Sequence, residues 1–274
     1  MSIIPLMIKK IAILFIFFFC VNISHAHHTP KLRSHIAAVY DQSKKEYIYL
    51  KNHNLVAPIA SITKLMTAIV TLESGLPLLE TLKITRNDID RYKNTSSKIR
   101  IGSKLMRSEM LKLSLMASEN RAASALARNY PGGTKGFVKA MNIKARQLGM
   151  KNTHFVDSTG LRPQNVSTAL DLIKLVEASS RFSIISKYTT TSKFSVEAKN
   201  RYLQYVNSNR LVRSSSWSIN LSKTGYIREA GRCLVMKARI QNRPIILVLL
   251  DSYGKLTRIG DANRIKAWLR KKSN

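Results

Sequence analysis

Cysteine is almost missing: the 274 residues hold two, Cys20 and Cys233. Cys20 falls in an N-terminal segment expected to be removed, which leaves Cys233 alone and excludes an intramolecular disulfide even in an oxidising compartment. Stability must therefore come from packing. Acids are also scarce, with 15 Asp and Glu against 46 Lys and Arg and a formal net charge of +31. That field favours polyanions. Yet the basic residues are scattered through every segment, with no nucleic-acid-binding motif and no aromatic stacking pattern among them, so nucleic acid is not the expected partner. A compositional or solubility bias accounts for the charge first, and electrostatic attraction to an anionic envelope second. No metal-site spacing occurs either; the pair His27-His28 has no third ligand and reads as a solvated tail. No linker-like stretch or internal repeat divides residues 35–270, so they read as one folding unit of two subregions.

The apolar run 11–21, preceded by Lys9 and Lys10, is shorter than the ~20 residues needed to span a bilayer. Ser24-His25-Ala26 places small residues before a cut, so residues 1–26 read as a cleaved secretory signal peptide and 27–34 as a polar lead. An exported protein is the expectation. Its mature chain carries 44 basic and 15 acidic residues, a net +29. With 45% hydrophobic and 22% charged residues the chain can bury a full core.

The chain is organised around Ala60-Ser61-Ile62-Thr63-Lys64-Leu65-Met66-Thr67-Ala68. Read as the first turns of a helix, it puts Ser61 and Lys64 on one face, within reach of each other. Ile62, Leu65, Met66, Ile69 and Leu72 follow helical spacing, which buries the helix. Lys64's row neighbours Ala60, Ser61, Thr67 and Ala68 are small, so adjoining elements can close over the amine and lower its pKa. That is a nucleophile beside a base. The Ser61 N–H, at a helix start, can face an oxyanion.

In chain order, residues 36–40 and 47–51 predict a hairpin around a polar turn, 82–85 a short strand, 86–100 a loop, and 102–116 a buried helix opened by Gly102. The helix ends at Ser118-Glu119-Asn120, where a hydroxyl and an amide, both donors and acceptors, sit at a change of backbone direction. A helix over 134–148 stops at Gly149, residues 157–163 are turn-like, and Thr168 to Asp171 form a capping box for a helix through Ser180. Short β runs follow at 194–196, 202–206 and 219–221. Two strong strands, 233–240 and 245–250, are joined by a turn at 241–244, and a closing helix spans 258–270. Strands at both ends with helices between imply an α+β fold, its antiparallel sheet built from the two chain ends, with a helical subregion and a cleft between.

A third motif, Ser222-Lys223-Thr224-Gly225-Tyr226, stands on a strand edge where Gly225 leaves room for an extended peptide and Lys223 and Thr224 can meet its carboxylate. Ser61-x-x-Lys64, Ser118-x-Asn120 and Lys223-Thr224-Gly225, in this order, are the motif set of penicillin-binding proteins and class A β-lactamases. With Tyr130-Pro131-Gly132-Gly133 they extend the likeness over residues 36–268. The chain resembles the low-molecular-mass penicillin-binding proteins, most closely the D-alanyl-D-alanine endopeptidases among them.

The resemblance implies a DD-peptidase/β-lactamase-like fold and a serine peptidase acting on peptidoglycan peptide stems, acylated by β-lactams and needing no cofactor and no metal. Ser61 is the implied nucleophile and Lys64 its base; Ser118 bridges toward Lys64 and relays the proton, and Asn120 holds the substrate amide. Lys223 keeps Lys64 neutral and, with Thr224, binds the carboxylate, while the N–H groups of Ser61 and Tyr226 form the oxyanion hole, beside Gly225. β-Lactamases of this fold add a Glu followed by Leu-Asn; Glu177 is followed by Ala178-Ser179-Ser180, so a penicillin adduct is expected to persist. Only 49 residues follow Gly225, whereas anchored carboxypeptidases of the family continue into a β-rich domain and an amphipathic helix, so the resemblance favours a soluble periplasmic enzyme of the endopeptidase type, though the absence of a domain does not itself choose the substrate. A carboxypeptidase, a β-lactamase and a non-catalytic wall-binding protein are the alternatives.

Overall fold

The computed structural model describes residues 29–271. The expected signal peptide, and with it the cut near His27, lies outside the described residues. Strands β1 (Ser34–Asp41) and β2 (Glu46–Lys51) form the opening hairpin, and β3 (Ala57–Pro58) leads into a 3-10 turn, Ala60–Thr63, continued by α1 (Lys64–Glu73). There follow β4 (Thr81–Lys83), β5 (Lys104–Met106), α2 (Arg107–Met116), α3 (Asn120–Arg128), α4 (Gly133–Gln147), β6 (Val166–Ser167), α5 (Ala169–Ser180) and α6 (Ser183–Thr189). The last part holds β7 (Lys193–Glu197), β8 (Tyr202–Val206), β9 (Ser218–Ile227), β10 (Gly231–Ile240), β11 (Arg243–Ser252) and α7 (Thr257–Lys271).

β2-β1-β11-β10-β9 is the order of the five-stranded antiparallel sheet, so strands from both chain ends meet at the β1–β11 pair, with Ala38 opposite Val248. Alternate residues face opposite sides. Ile36, Ala38, Val235, Ile246, Val248 and Leu250 join the core shared with the helices, whereas Ala37, Val39, Leu234, Met236, Leu247 and Leu249 pack with Ile265 and Leu269 of α7. Burial of both faces explains why these strands read as continuous apolar runs. α1 lies in the middle of the helical subregion, in contact with α2, α3, α4 and α5, and is buried from Lys64 to Thr71. An all-round burial of this kind lets a helix carry polar groups only where they find partners.

Three local expectations are corrected. Residues 104–106 are not the first turn of a helix but a strand paired with β4; Met106 stays extended, and Glu109 Oε2 accepts its N–H at 2.8 Å, starting α2 one residue later. The β10–β11 turn is tighter than 241–244: Gln241 and Asn242 take positive φ (49° and 60°) and Pro244 is already paired with Arg239. Such a two-residue turn matches the strand twist, and asparagine tolerates its left-handed backbone. At α5, Thr168 accepts the Asp171 N–H at 3.2 Å, but the Asp171 carboxylate turns to Asn152 N and Thr153 Oγ1, so the reciprocal half of the capping box is missing.

Candidate active site

Ser61 sits on the 3-10 turn ahead of α1, not in its first α turn. The turn opens on Ala60 at φ +48°, outside the ordinary range for a residue with a Cβ, and Thr63 Oγ1 donates to the Ala60 carbonyl at 2.8 Å. Two neighbours press on it. A Cβ built on Gly160 (φ +78°) would lie 1.9 Å from Ala60 O, and one on Gly225 would lie 3.0 Å from Ser61 N. Only glycine allows the 157–162 loop and β9 to close on the serine from two sides.

Lys64, one helical turn on, is fully buried. Its Nζ donates to Ser61 Oγ at 2.8 Å, Asn120 Oδ1 at 2.8 Å and the Thr159 carbonyl at 2.6 Å. Burial is the main cause that brings its pKa down to about 7; Asp157, Glu119 and Asp90 oppose the shift without cancelling it. Asn120 begins α3 with its amide orientation fixed, since Nδ2 donates to Thr95 Oγ1 at 3.0 Å. Glu119, whose own carboxyl is pushed up by burial, accepts the Arg121 N–H at 3.1 Å and so anchors the helix start.

Ser118 lies between α2 and α3 at φ +61°. Its hydroxyl accepts a hydrogen bond from Lys223 Nζ, not from Lys64 as the resemblance implied. Lys223, buried on β9, also donates to the Thr224 carbonyl at 2.8 Å, and burial, with the cations Lys64 and Arg258, draws its pKa well below the ordinary lysine range. Thr224 Oγ1 donates to Ser208 Oγ at 2.7 Å. Tyr226 is exposed at the strand edge, its ring 4.4 Å from the Arg232 guanidinium carbon. All eight candidate residues thus fall at one end of β9 and its facing helices. Glu177 is elsewhere: it sits on α5 with Gln42 Nε2 donating to it at 3.3 Å.

Two groups had gone unnoticed in the sequence. Thr159 acts through its carbonyl, which every residue has; the turn-like composition of 157–163 was its only signal. Arg258, second residue of α7, has Nε and Nη1 buried with no hydrogen-bond partner among the described residues, near enough to Lys223 to depress its pKa. No cluster of three His, Cys, Asp or Glu side chains suited to a metal occurs among the described residues.

Known structures place this architecture among the serine DD-peptidases. The crystal structure of the Streptomyces K15 DD-transpeptidase matches with a TM-score of 0.82 at 27% identity, covering 88% of this chain and 98% of that one. Penicillin-binding protein D2 of Listeria monocytogenes, in its cefotaxime-bound form, matches at 0.75 and 28%, with the same coverage. Within that class, the profile of peptidase family S11, D-alanyl-D-alanine carboxypeptidase, matches residues 23–254, and the chain belongs to this family. It is 48% identical over 241 residues to the D-alanyl-D-alanine endopeptidase of Pseudomonas aeruginosa, covering 87% of this chain and 78% of that protein. The D-alanyl-D-alanine endopeptidase of Escherichia coli is 46% identical over 242 residues, with 88% and 78% covered.

Proposed function

We propose that the protein is a periplasmic serine DD-peptidase that opens D-alanyl cross-links of peptidoglycan through an acyl-enzyme on Ser61. The observation that carries this is the triple contact of Lys64. An ammonium donates three hydrogen bonds, and Lys64 has three acceptors. On losing a proton the amine gains a lone pair, which must face a donor. Asn120 Oδ1 and the Thr159 carbonyl can only accept, so the lone pair turns to the one partner holding a proton, the Ser61 hydroxyl. The site therefore converts neutral Lys64 into a base aimed at Ser61, with a pKa matched to neutral pH.

Attack by Ser61 Oγ on the D-alanine carbonyl forms the Oγ–C bond as the hydroxyl proton passes to Lys64. The N–H groups of Ser61 and Tyr226 stabilise the oxyanion. Collapse breaks the C–N bond as Ser118 gives its hydroxyl proton to the departing amine and takes a replacement from the Lys223 ammonium that holds it. Water then attacks the ester, its proton returning to Lys223, and the proton kept on Lys64 goes back to Ser61 Oγ as the acyl group leaves. Thr224 and Lys223 meet the leaving side. Arg258 supplies the second cation there: its buried, unpartnered N–H atoms suit a carboxylate, whose arrival returns Lys223 toward its ammonium form. Arg258→Ala is accordingly expected to raise KM for a substrate with a terminal carboxylate by about tenfold, with kcat less affected.

Endopeptidase action is favoured over removal of terminal D-alanine by the names and the 46–48% identity of the two relatives above. Digestion of purified muropeptides decides it. Mature enzyme is expected to convert cross-linked dimers to monomers, and Ser61→Ala to lose this completely. Trimming of pentapeptide monomers with dimers intact would instead make it a carboxypeptidase.

A further inference from the structure

A cleft of about 510 Å³ lies beside the active site, with no residue of β9 in its lining. Its lining includes Asn120 and Thr159, both bonded to Lys64, so it borders the base that faces Ser61. On the peptidase reading, which gives the leaving side to Lys223, Thr224 and Arg258, this cleft is the space left for the acyl-donor stem. Its volume suits several residues of a peptide.

The distribution of charge in the cleft is uneven. Its three acids are turned to the backbone or to a partner. Asp90 accepts the N–H groups of Tyr92, Lys93 and Thr95, each at 2.9 Å. Asp157 accepts those of Thr159 and Gly160 at 2.6 Å and of Arg162 at 3.0 Å, and Asp88 is paired with Arg128 at 2.9 Å. The arginines are not so engaged. Arg86, Arg91 and Arg162 line the cleft and are exposed, and none is ion-paired among the described residues. Arg162 instead lies over the Tyr92 ring, 5.4 Å from its centroid, which steadies the guanidinium while leaving its N–H edge to solvent. The outcome is three guanidinium groups without an ion-pair partner among the described residues, beside a peptide-sized cleft.

We infer that this cleft is a carboxylate-reading subsite, in which Arg162 and Arg91 recognise a free carboxylate on the acyl-donor stem, amino-terminal to the scissile bond. The inference rests on the peptidase reading and adds a specificity to it: stems whose carboxylates are amidated are poorer donors. Arginine's planar fork suits a carboxylate better than a neutral amide, which offers one acceptor and no charge.

The test uses two cross-linked muropeptide dimers that differ only in whether the donor-stem carboxylates are free or amidated, with kcat/KM read for each. Wild type is expected to favour the free form about fivefold, the upper range for solvent-exposed charge pairs. The preference should fall toward one in Arg91→Gln/Arg162→Gln and, for wild type, in about 0.5 M salt. Because the readout is a ratio, a general loss of activity in the variant does not mimic the result; should the variant not fold, the wild-type salt series decides. Equal cleavage of both dimers by wild type, or a preference that survives in the variant or in salt, overturns the inference while leaving the peptidase intact. Cleavage of neither dimer, with no benzylpenicillin adduct on Ser61, overturns the peptidase reading and this one together.

Discussion

Replacing Lys64 with methionine is expected to slow acylation of Ser61 by a thousandfold or more, within the ~10²–10⁴ range for loss of a positioned base, while relieving the fold of a buried charge. Lys64 titrates near 7 in the folded protein against 10.5 for an ordinary lysine. In an unfolded chain it binds a proton more tightly, so wild-type stability rises with pH between these two values. Above 10.5 both states are neutral and the charge costs nothing; below 7 both are charged and the full penalty of burial applies. The acceptors left behind by methionine, Asn120 Oδ1 and the Thr159 carbonyl, cost much the same at any pH. The stability of Lys64→Met relative to wild type should therefore improve by roughly 4 kcal/mol between pH 10 and pH 6, measured by denaturant unfolding. In wild type, kcat/KM should rise with pH along a limb centred near 7, the limb set by Lys64. A variant whose relative stability does not change with pH would mean that the lysine is ordinary.

Gly160→Ala is expected to damage the site more than any other single methyl group. The added Cβ would stand 1.9 Å from Ala60 O, 2.4 Å from Ala60 C and 2.8 Å from Thr63 Oγ1. Backbone cannot yield as a flexible side chain does, so either the 157–162 loop or the turn carrying Ser61 must move, and the positive φ adds strain. A loss of about 3–5 kcal/mol is expected. Because Thr159 and Ser61 both bond Lys64, a shift of either by an ångström should also cut penicillin acylation about a hundredfold. Gly149→Ala is the control. It has a similar φ, +68°, but nothing within 4 Å of the new Cβ, and should cost only about 1 kcal/mol, with acylation unchanged.

Much of this was legible from residue types because the residues announce their own environment. The strands 233–240 and 245–250 were plain since both faces of the sheet are covered, and the serine, lysine and asparagine stand out by spacing. What remained hidden depends on groups that any residue possesses or on contacts distant in the chain. The Thr159 carbonyl has no sequence signature. Arg258 is an unremarkable cation at the head of a helix until the sheet brings it to Lys223. Helix α6 escaped notice because Ser183–Thr189 mixes polar and apolar residues over too short a span for a period to emerge. Leu105 and Met106 fit a helix or a strand equally well, and pairing with β4 decided between them. Ser61's 3-10 turn is likewise set from outside, by Gly160 and Gly225.

The pairing of β1 with β11 carries a consequence for timing. β9 reaches its place only through β10 and β11, and β11 is docked on a strand made some two hundred residues earlier, with Ser34 opposite Ser252. Contacts of such sequence separation form late and slowly. A chain made only as far as α6 holds Ser61, Lys64 and Asn120 but has no strand to set against them. Cutting ability thus appears in one step, once β11 has been made and docked on β1, and not gradually along the chain, so a molecule lacking these strands cannot attack what surrounds it.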